Sequence, residues 1–239
     1  MADFTNTHRY FIQYMLKHGI ATINNAMEYC RHVSRGEIND QSEFKDFVLD
    51  VNREIKKNSF NLTFKTCEVT KEKFLVWQTL KNDISLLQIK FSAVDIEYFH
   101  SVFQEILRNE EHRIKQNEAL NLSSSLTSRL SLENAEKLLK TFVQIGYFVS
   151  KDSCIFLGPR LILEFTSYLQ SHFTDSICPL CSELVFWGKS CRSCEKTAHI
   201  YCLETYLRNQ KDCPNCHVAW STPMEVEENG GSDSDSSTD

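Results

Sequence analysis

Eight potential metal ligands stand in four closely spaced pairs near the end of the sequence. Two residues separate the members of each pair: Cys178/Cys181, Cys191/Cys194, His199/Cys202 and Cys213/Cys216. This gap lets both side chains of a tight turn reach one tetrahedral ion, at about 2.3 Å for sulfur and about 2.0 Å for histidine nitrogen. Eight ligands make two complete zinc sites. A segment this short buries too little apolar surface to fold alone, so bound zinc would supply the missing free energy.

Both zinc ions are expected to be structural. A site with four protein ligands has no vacant position for water or substrate, so neither ion should take part in chemistry. The ligand pairs could be shared consecutively, the first two on one ion and the last two on the other. They could also be interleaved, with the first and third pairs on one ion. The spacing alone leaves both arrangements open.

Charge and composition exclude other classes of protein. The chain has 239 residues, of which 41% are hydrophobic and 24% charged, as is usual for a globular protein. Six of its 32 acidic residues follow Thr222, where there is no Lys or Arg, so residues 1–222 hold 26 charges of each sign. A protein that mainly follows phosphate backbones needs a concentrated positive face, which this balance does not favour.

We expect a soluble, intracellular protein with no membrane contact. The N-terminal residues lack the basic and apolar regions of a secretory signal, and no stretch approaches the roughly 20 apolar residues that span a bilayer. Seven of the ten cysteines fall in the paired segment. In a reducing compartment this pattern indicates metal ligation rather than disulfides. The other three, Cys30, Cys67 and Cys154, lie in apolar patterns and are expected to be inert core residues.

Residues 1–90 predict three helices followed by a hairpin. The first two helices are expected over about 5–18 and 22–33. The third carries the stripe of a helix that buries one face, formed by Phe44, Phe47, Val48, Val51 and Ile55. Alternation at Phe60, Leu62 and Phe64, with a second apolar run over 74–77, predicts the hairpin.

The same order returns in residues 91–175. Ser92 and Ser131 are expected to cap two helices, with a short helix between them within residues 118–129. Gly146 is well placed to end the last of these. Apolar runs over 147–149 and 154–157 predict a second hairpin, and Pro159 fits the start of a final helix.

Three helices and a hairpin, twice over, is the element order of tandem winged-helix domains. We therefore predict an α+β, mainly helical fold. It would comprise winged-helix domains over 1–90 and 91–175, a zinc domain over 176–222 and a disordered acidic tail over 223–239. In that tail, Ser232 and Ser236 each have an acidic residue three positions later, a pattern that acid-directed kinases favour.

These two domains are predicted to dock proteins rather than to recognise a DNA sequence. The third helix of such a domain is the usual DNA-contacting element. The charges in residues 133–146 cancel, and those in residues 44–58 leave only a slight basic excess. Weak, non-specific DNA contact is the most that this balance favours.

The order of the eight ligands resembles two families, the RING fingers and the PHD fingers. PHD fingers usually carry an aromatic residue two positions before the seventh ligand, where this chain has Lys211. The RING features are Leu180 inside the first pair, Pro214 after the seventh ligand, and a helical stretch after Cys202. That stretch bears Leu203, Tyr206 and Leu207.

The resemblance to RING fingers implies the interleaved, cross-brace arrangement. One zinc ion would then be held by Cys178, Cys181, His199 and Cys202, and the other by Cys191, Cys194, Cys213 and Cys216. In RING ligases the positions that match Leu180, Tyr206 and Pro214 form the shallow groove for a ubiquitin-conjugating enzyme.

Tandem winged-helix elements before such a finger resemble the RING-like non-SMC element one subunits of the structural-maintenance-of-chromosomes five/six complex. The resemblance covers residues 1 to about 222, including the helix before Cys178 and the later Trp220. It implies a nuclear, chromosome-associated subunit that binds a MAGE-type winged-helix partner and a kleisin. It also implies a role in DNA repair by recombination, with ubiquitin ligase activity that the MAGE partner enhances.

One position departs from active RING ligases. Many of them have an Arg just past the final ligand, which hydrogen-bonds both the conjugating enzyme and ubiquitin, whereas this chain has His217. We therefore expect a weak or partner-dependent ligase that acts by positioning, without a catalytic nucleophile of its own. The alternatives are a non-catalytic assembly scaffold and a chromatin- or DNA-binding module.

Overall fold

The computed structural model describes residues 4–80 and 91–221. About half of these residues are helical, and the fold is mixed α/β with a small cysteine-rich region at its C-terminal end. The helices are α1 (Asn6–His18), α2 (Ile23–Val33), α3 (Gln41–Ile55), α4 (Ala93–Arg108), α5 (Gln116–Asn121), α6 (Leu132–Gln144), α7 (Pro159–Glu164), α8 (Thr166–His172) and α9 (Ile200–Tyr206). The strands are β1 (Ile20–Thr22), β2 (Phe60–Thr66), β3 (Lys73–Thr79), β4 (Arg113–Lys115), β5 (Phe148–Lys151), β6 (Cys154–Leu157), β7 (Lys189–Ser190) and β8 (Thr197–Ala198).

Local sequence explains where the long helices begin. At α3, the Asp40 carboxylate accepts hydrogen bonds from the amides of Ser42 (2.7 Å) and Glu43 (2.8 Å), and the Glu43 carboxylate accepts one from the Asp40 amide. This reciprocal cap satisfies amides that lack a partner within the helix. The predicted caps at α4 and α6 are confirmed, since Ser92 and Ser131 each accept a hydrogen bond from the third following amide.

The chain forms two units with the same element order. Each runs helix, strand, helix, helix, strand, strand, and each builds a three-stranded antiparallel sheet, with order β1-β3-β2 in the first and β4-β6-β5 in the second. We call residues 4–80 the first unit and residues 91–172 the second unit. The shared order agrees with tandem winged-helix domains, but that assignment and the domain boundaries stay predictions.

Three local features differ from the sequence expectations. The strands β1 and β4 were not expected, because three residues are too few to show a period of two. The final predicted helix is interrupted at Phe165 and becomes α7 and α8. In β2 the expected alternation fails, since Phe64 is 41% exposed whereas Lys65 is only 6% exposed.

Each unit has its own aromatic-rich core. Phe11 meets both Phe44 and Phe47 edge to face in the first, and the ring centroids of Phe99, Phe142 and Phe148 lie within 6.0 Å of one another in the second. Such ring pairs add roughly 0.5–1.5 kcal/mol each beyond the burial of their surface. Each unit therefore has a core of its own.

The two units pack together through close backbone contacts. A Cβ atom on Gly146 would lie 2.7 Å from the Ile20 side chain, and one on Gly19 would overlap the Arg160 guanidinium. The Gln78 side chain donates a hydrogen bond to the Leu163 carbonyl (3.3 Å). The first sheet therefore lies directly against the end of the second unit.

Burial separates the three cysteines outside the paired segment. Cys30 and Cys67 are buried as expected, whereas Cys154 is only half-buried at the start of β6. Burial raises the pKa of the Cys30 thiol to about 12, which keeps it protonated and unreactive.

Two expectations concern the remaining residues and the membrane. The predicted acidic tail over 223–239, with Ser232 and Ser236, lies outside the described residues. Among the helices of residues 4–80 and 91–221, none combines the length and the apolar character needed to cross a bilayer.

Candidate metal centre

Three of the four ligand pairs lie in turns of the same geometry. In each, the amide of the first cysteine closes a short loop by donating a hydrogen bond to the carbonyl five positions later, over 2.8–3.0 Å. The residue directly after the second cysteine has a positive φ: 61° at Ser182, 58° at Glu195 and 59° at His217. Backbone amides also point at sulfur, as Ser193 N does at Cys191 Sγ (3.4 Å). The turns therefore present paired sulfur atoms on a rigid backbone.

The fourth pair is built on a helix. His199 precedes α9, and Cys202 lies in its first turn, so the two side chains project from the same end of the helix. His199 is completely buried and Cys202 is half-buried. Leu203, also completely buried, anchors the helix in the small core of this region.

The structure brings the eight side chains together as two interleaved groups. One group, site 1, comprises Cys178, Cys181, His199 and Cys202. The other, site 2, comprises Cys191, Cys194, Cys213 and Cys216. In each group all four ligand atoms lie within 4.8 Å of one another. The consecutive arrangement that the spacing had left open is not the one that the fold adopts.

The distances suit a tetrahedral zinc ion. Bonds of about 2.3 Å place two sulfur ligands roughly 3.8 Å apart on a tetrahedron. In site 2, Cys191 Sγ lies 3.9 Å from Cys216 Sγ, and Cys194 Sγ lies 3.8 Å from Cys213 Sγ. In site 1, His199 Nδ1 lies 3.3 Å from Cys181 Sγ. Within the described residues all ten cysteines are free thiols, and two closed sites of thiolate and imidazole are what structural zinc prefers.

The ionisation of the thiols also fits a cation. Burial opposes the ionisation of Cys178, yet hydrogen bonds from His199 and from backbone amides lower the pKa of its thiol to about 6. Backbone amides lower the pKa of the Cys191 thiol to about 6. By contrast, burial and the neighbouring thiolates raise the pKa of the Cys202 thiol. In site 1, therefore, ionisation of one thiol opposes ionisation of its neighbours, and a divalent cation would relieve that opposition.

Glu68, from the turn between β2 and β3, contacts site 1. Its Oε1 lies 3.1 Å from His199 Nε2, and its Oε2 accepts hydrogen bonds from the amides of Phe186 (2.9 Å) and Trp187 (2.7 Å). Glu68 is only 4% exposed. Sequence reasoning missed this residue. The one available signal was an acidic residue flanked by the apolar Cys67 and Val69.

Two ion pairs join the same turn region to the cysteine-rich region. Lys65 Nζ lies 2.6 Å from Glu183 Oε2, and Lys71 pairs with Glu204 on α9. Lys65 lies near the end of β2 and its side chain reaches Glu183 in the cysteine-rich region, so its burial follows from this contact. The first unit therefore contacts the cysteine-rich region through three side chains, those of Lys65, Glu68 and Lys71.

Residues 184–187 of the cysteine-rich region pack against both units. Leu184 and Phe186 belong to the core of the second unit, and Val185 belongs to the small core around Leu203. Trp187 packs on Phe156 of β6, with ring centroids 4.9 Å apart, and shares a cluster with residues of the first hairpin. The cysteine-rich region is thus part of one continuous body with both units.

The predicted groove residues are available on the surface. Leu180, Tyr206 and Pro214 are each half-buried. Leu180 also packs on the small core of the region, as does Leu207. The three side chains are carried by the first turn of site 1, by α9 and by the last turn of site 2. Their role in binding a conjugating enzyme stays a prediction.

Comparison with known proteins identifies both parts of the chain. A family model described as a RING-like domain matches residues 178–216. A second model, described as the Nse1 non-SMC component of the SMC5-6 complex, matches residues 8–165. Together the two cover most of the described structure.

Individual relatives agree with these matches. The protein named non-structural maintenance of chromosomes element 1 homolog from Drosophila melanogaster is 32% identical over 182 residues, which cover 74% of this chain and 77% of that protein. The protein of the same name from Homo sapiens is 25% identical over 236 residues, covering 95% of this chain and 87% of that protein. A solved structure described as an Nse1-Nse3-Nse4 complex contains a chain with a similar fold, with a TM-score of 0.77 and 22% identity over 93% of this chain and 100% of that one. The chain therefore belongs to the family of Nse1 non-SMC components of the SMC5-6 complex.

Proposed function

We propose that this protein is a RING-type ubiquitin ligase subunit of a structural-maintenance-of-chromosomes five/six complex. The observation that carries the proposal is the interleaving of the two sites, because it fixes the three elements of the groove relative to one another. Leu180 lies in a turn of site 1, Pro214 in a turn of site 2, and Tyr206 on the helix that bears Cys202. A surface held in this way could bind a ubiquitin-conjugating enzyme.

The proposed ligase acts by positioning alone. Cys30 is buried with a raised pKa and Cys67 is buried, so neither is placed to form a thioester with ubiquitin. Closed metal sites have no open position for a reacting molecule. Restricting a bound ubiquitin thioester to a near-attack geometry would be this protein's contribution to the rate.

The proposed partners are a MAGE-type winged-helix subunit and a kleisin. The solved chain of similar fold belongs to a complex with Nse3 and Nse4, which supports corresponding partners here. Membership of the family also supports work in the nucleus, on chromosomes, in DNA repair by recombination. We propose that ligase activity is weak in the isolated chain and rises when the MAGE-type partner is bound.

A non-catalytic scaffold is the second candidate. It is favoured by His217, which stands where many active RING ligases have Arg, and by the packing of residues 184–187 against both units. In that case the metal centre would serve only to hold the subunit together for assembly with its partners.

Direct DNA contact is expected to be weak at most. Four of the cations on the segments predicted to contact DNA pair with nearby acids: Arg53 with Asp50 in α3, Lys57 with Glu54 just after its end, and Lys137 with Glu133 and Lys140 with Glu136 on α6. A gel-shift series against salt tests this expectation, because neutralised phosphates give a log–log slope of about −0.9 each. A slope near zero is predicted for the isolated chain.

A ubiquitination assay separates the ligase from the scaffold. Purified chain, with and without the MAGE-type partner, would be combined with activating enzyme, ubiquitin and a panel of conjugating enzymes. The ligase proposal predicts ubiquitin chains or autoconjugation above a Cys191→Ser control, and more product with the partner present. Product no greater than that of Cys191→Ser with every conjugating enzyme would rule out ligase activity and leave the scaffold.

A further inference from the structure

The carboxylate of Glu68 completes a chain of contacts that runs from the first unit to site 1. The Nδ1 atom of His199 faces the sulfur atoms, 3.3 Å from Cys181 Sγ. Its Nε2 atom faces two acceptors, the Leu184 carbonyl at 3.0 Å and Glu68 Oε1 at 3.1 Å. With acceptors on that side, Nε2 carries a hydrogen, and Nδ1 is the nitrogen that faces the sulfur atoms and would bind a metal ion.

A carboxylate in this position also strengthens the ligand. An acceptor for the second ring nitrogen orients the imidazole and raises its basicity, and loss of such a partner typically costs about 10- to 100-fold in metal affinity. Leu184 supplies a neutral acceptor, whereas Glu68 supplies a charged one. The charged acceptor forms the stronger of the two hydrogen bonds.

The same carboxylate holds the first unit against the cysteine-rich region. Its second oxygen accepts from two successive amides, Phe186 N and Trp187 N, in the segment that packs against both units. Without this carboxylate the two buried amides would lose their acceptor, which is unfavourable in a site that excludes water. Both oxygens of Glu68 are therefore used, one towards the ligand and one towards the backbone.

The turn that carries Glu68 is rigid. Cys67 N donates to the Glu72 carbonyl (2.9 Å), and Lys71 N donates to the Cys67 carbonyl (3.0 Å). Cys67 and Val69, the neighbours of Glu68 in the sequence, are buried in one hydrophobic cluster, and Trp187 packs against that cluster. These contacts hold the Glu68 backbone in a fixed place relative to the hairpin.

We propose that Glu68 is a positioning residue for a metal ion at site 1, and that occupancy of site 1 and docking of the β2–β3 turn stabilise each other. The coupling is reciprocal by thermodynamic necessity: what the docked turn adds to metal affinity, the bound metal adds to docking. Site 2 has no contact with Glu68 and should not share the effect. This inference does not depend on ligase activity.

Site-resolved metal titration tests the proposal. Cobalt gives different absorption spectra with three sulfurs and one nitrogen and with four sulfurs, so displacement by zinc can be followed at each site of the full chain. Glu68→Gln should lower the affinity of site 1 about 10- to 100-fold and leave site 2 unchanged. Glu72→Gln is the matched control, because it makes the same substitution at an exposed position of the same turn. Equal site 1 affinities in the two variants would overturn the proposal.

A second variant serves if Glu68→Gln does not fold. His199→Cys keeps four ligands at site 1 but removes the Nε2 donor. Hydrogen exchange at Phe186 and Trp187, whose amides donate to Glu68, should become faster in this variant while site 2 stays loaded. Exchange at the wild-type rate would show that docking of the turn does not depend on the histidine, and would overturn the coupling.

Discussion

Lys65 and Glu183 form an ion pair that joins two parts of the chain 118 positions apart, with 2.6 Å between Nζ and Oε2. The lysine side chain is 4% exposed, whereas that of the glutamate is 53% exposed. The pair is therefore unequal, because the cation is buried and its counter-ion is half in water. Removing one partner should not have the same effect as removing the other.

Glu183→Ala should destabilise the protein more than Lys65→Met does. The first variant leaves a buried ammonium without its counter-ion, and we expect a loss of about 1–3 kcal/mol, since the exposure of the glutamate weakens the pair. The second replaces the cation with an apolar side chain of similar volume, and we expect a change below about 1 kcal/mol. Urea unfolding of the zinc-loaded protein measures both. A larger loss for Lys65→Met would contradict this account of the contact.

Gly146→Ala should weaken the contact between the two units. Gly146 has φ +82°, and Gly36, with φ +84° and no atom closer than 3.9 Å to an added Cβ, is its matched control. Both substitutions should cost about 1–2 kcal/mol because of the left-handed backbone. Gly146→Ala should cost about 1 kcal/mol more because its Cβ overlaps Ile20. Thermal unfolding compares the variants, and adding Ile20→Val should recover part of the difference. Equal losses at the two glycines would refute the predicted overlap.

Tyr206→Ala should weaken binding of a ubiquitin-conjugating enzyme. Truncating a central aromatic residue of an interface costs about 2 kcal/mol or more, which corresponds to at least about a 30-fold loss of affinity. Tyr10→Ala is the control, because it removes an exposed tyrosine from α1, far along the chain from the metal centre. Calorimetry with the most active conjugating enzyme measures both affinities. The assignment of the groove fails if the two variants bind equally well.

His217→Arg should increase ligase activity. The His217 side chain is 74% exposed and follows the last ligand of site 2. An Arg there could donate to both conjugating enzyme and ubiquitin, and a hydrogen bond to a charged group is worth about 1.5–3 kcal/mol. We expect ubiquitin discharge from the conjugating enzyme to become about 10-fold faster. His217→Ala is the control and should give no gain. If Arg and Ala discharge ubiquitin at the same rate, the residue at this position does not limit the activity.

Features set by neighbouring residues could be predicted from the sequence. The eight ligands follow from the two-residue gaps, and the caps at Ser92 and Ser131 follow from local hydrogen bonding. Gly146, with a positive φ after α6, is also a local signal. The interleaving of the ligand pairs came from the resemblance to RING fingers, since spacing alone allowed two arrangements.

Features set by distant residues could not be predicted in this way. The alternation in β2 predicted that Phe64 is buried. Lys65 is buried instead, because its partner Glu183 lies in the cysteine-rich region. Glu68 was missed for the same reason, because its three donors belong to residues more than 100 positions later. A pattern within one strand carries no information about such a contact.

Counting the metal in the purified protein tests the central claim most directly. Elemental analysis combined with native mass spectrometry should find two zinc ions per chain, with every cysteine reduced. Cys178→Ser and Cys191→Ser, which each remove one ligand, should lower the count, whereas Cys30→Ser, which lies in the core of the first unit, should leave it at two. Fewer than two zinc ions in the folded wild-type chain, or disulfide bonds among the paired cysteines, would contradict the account.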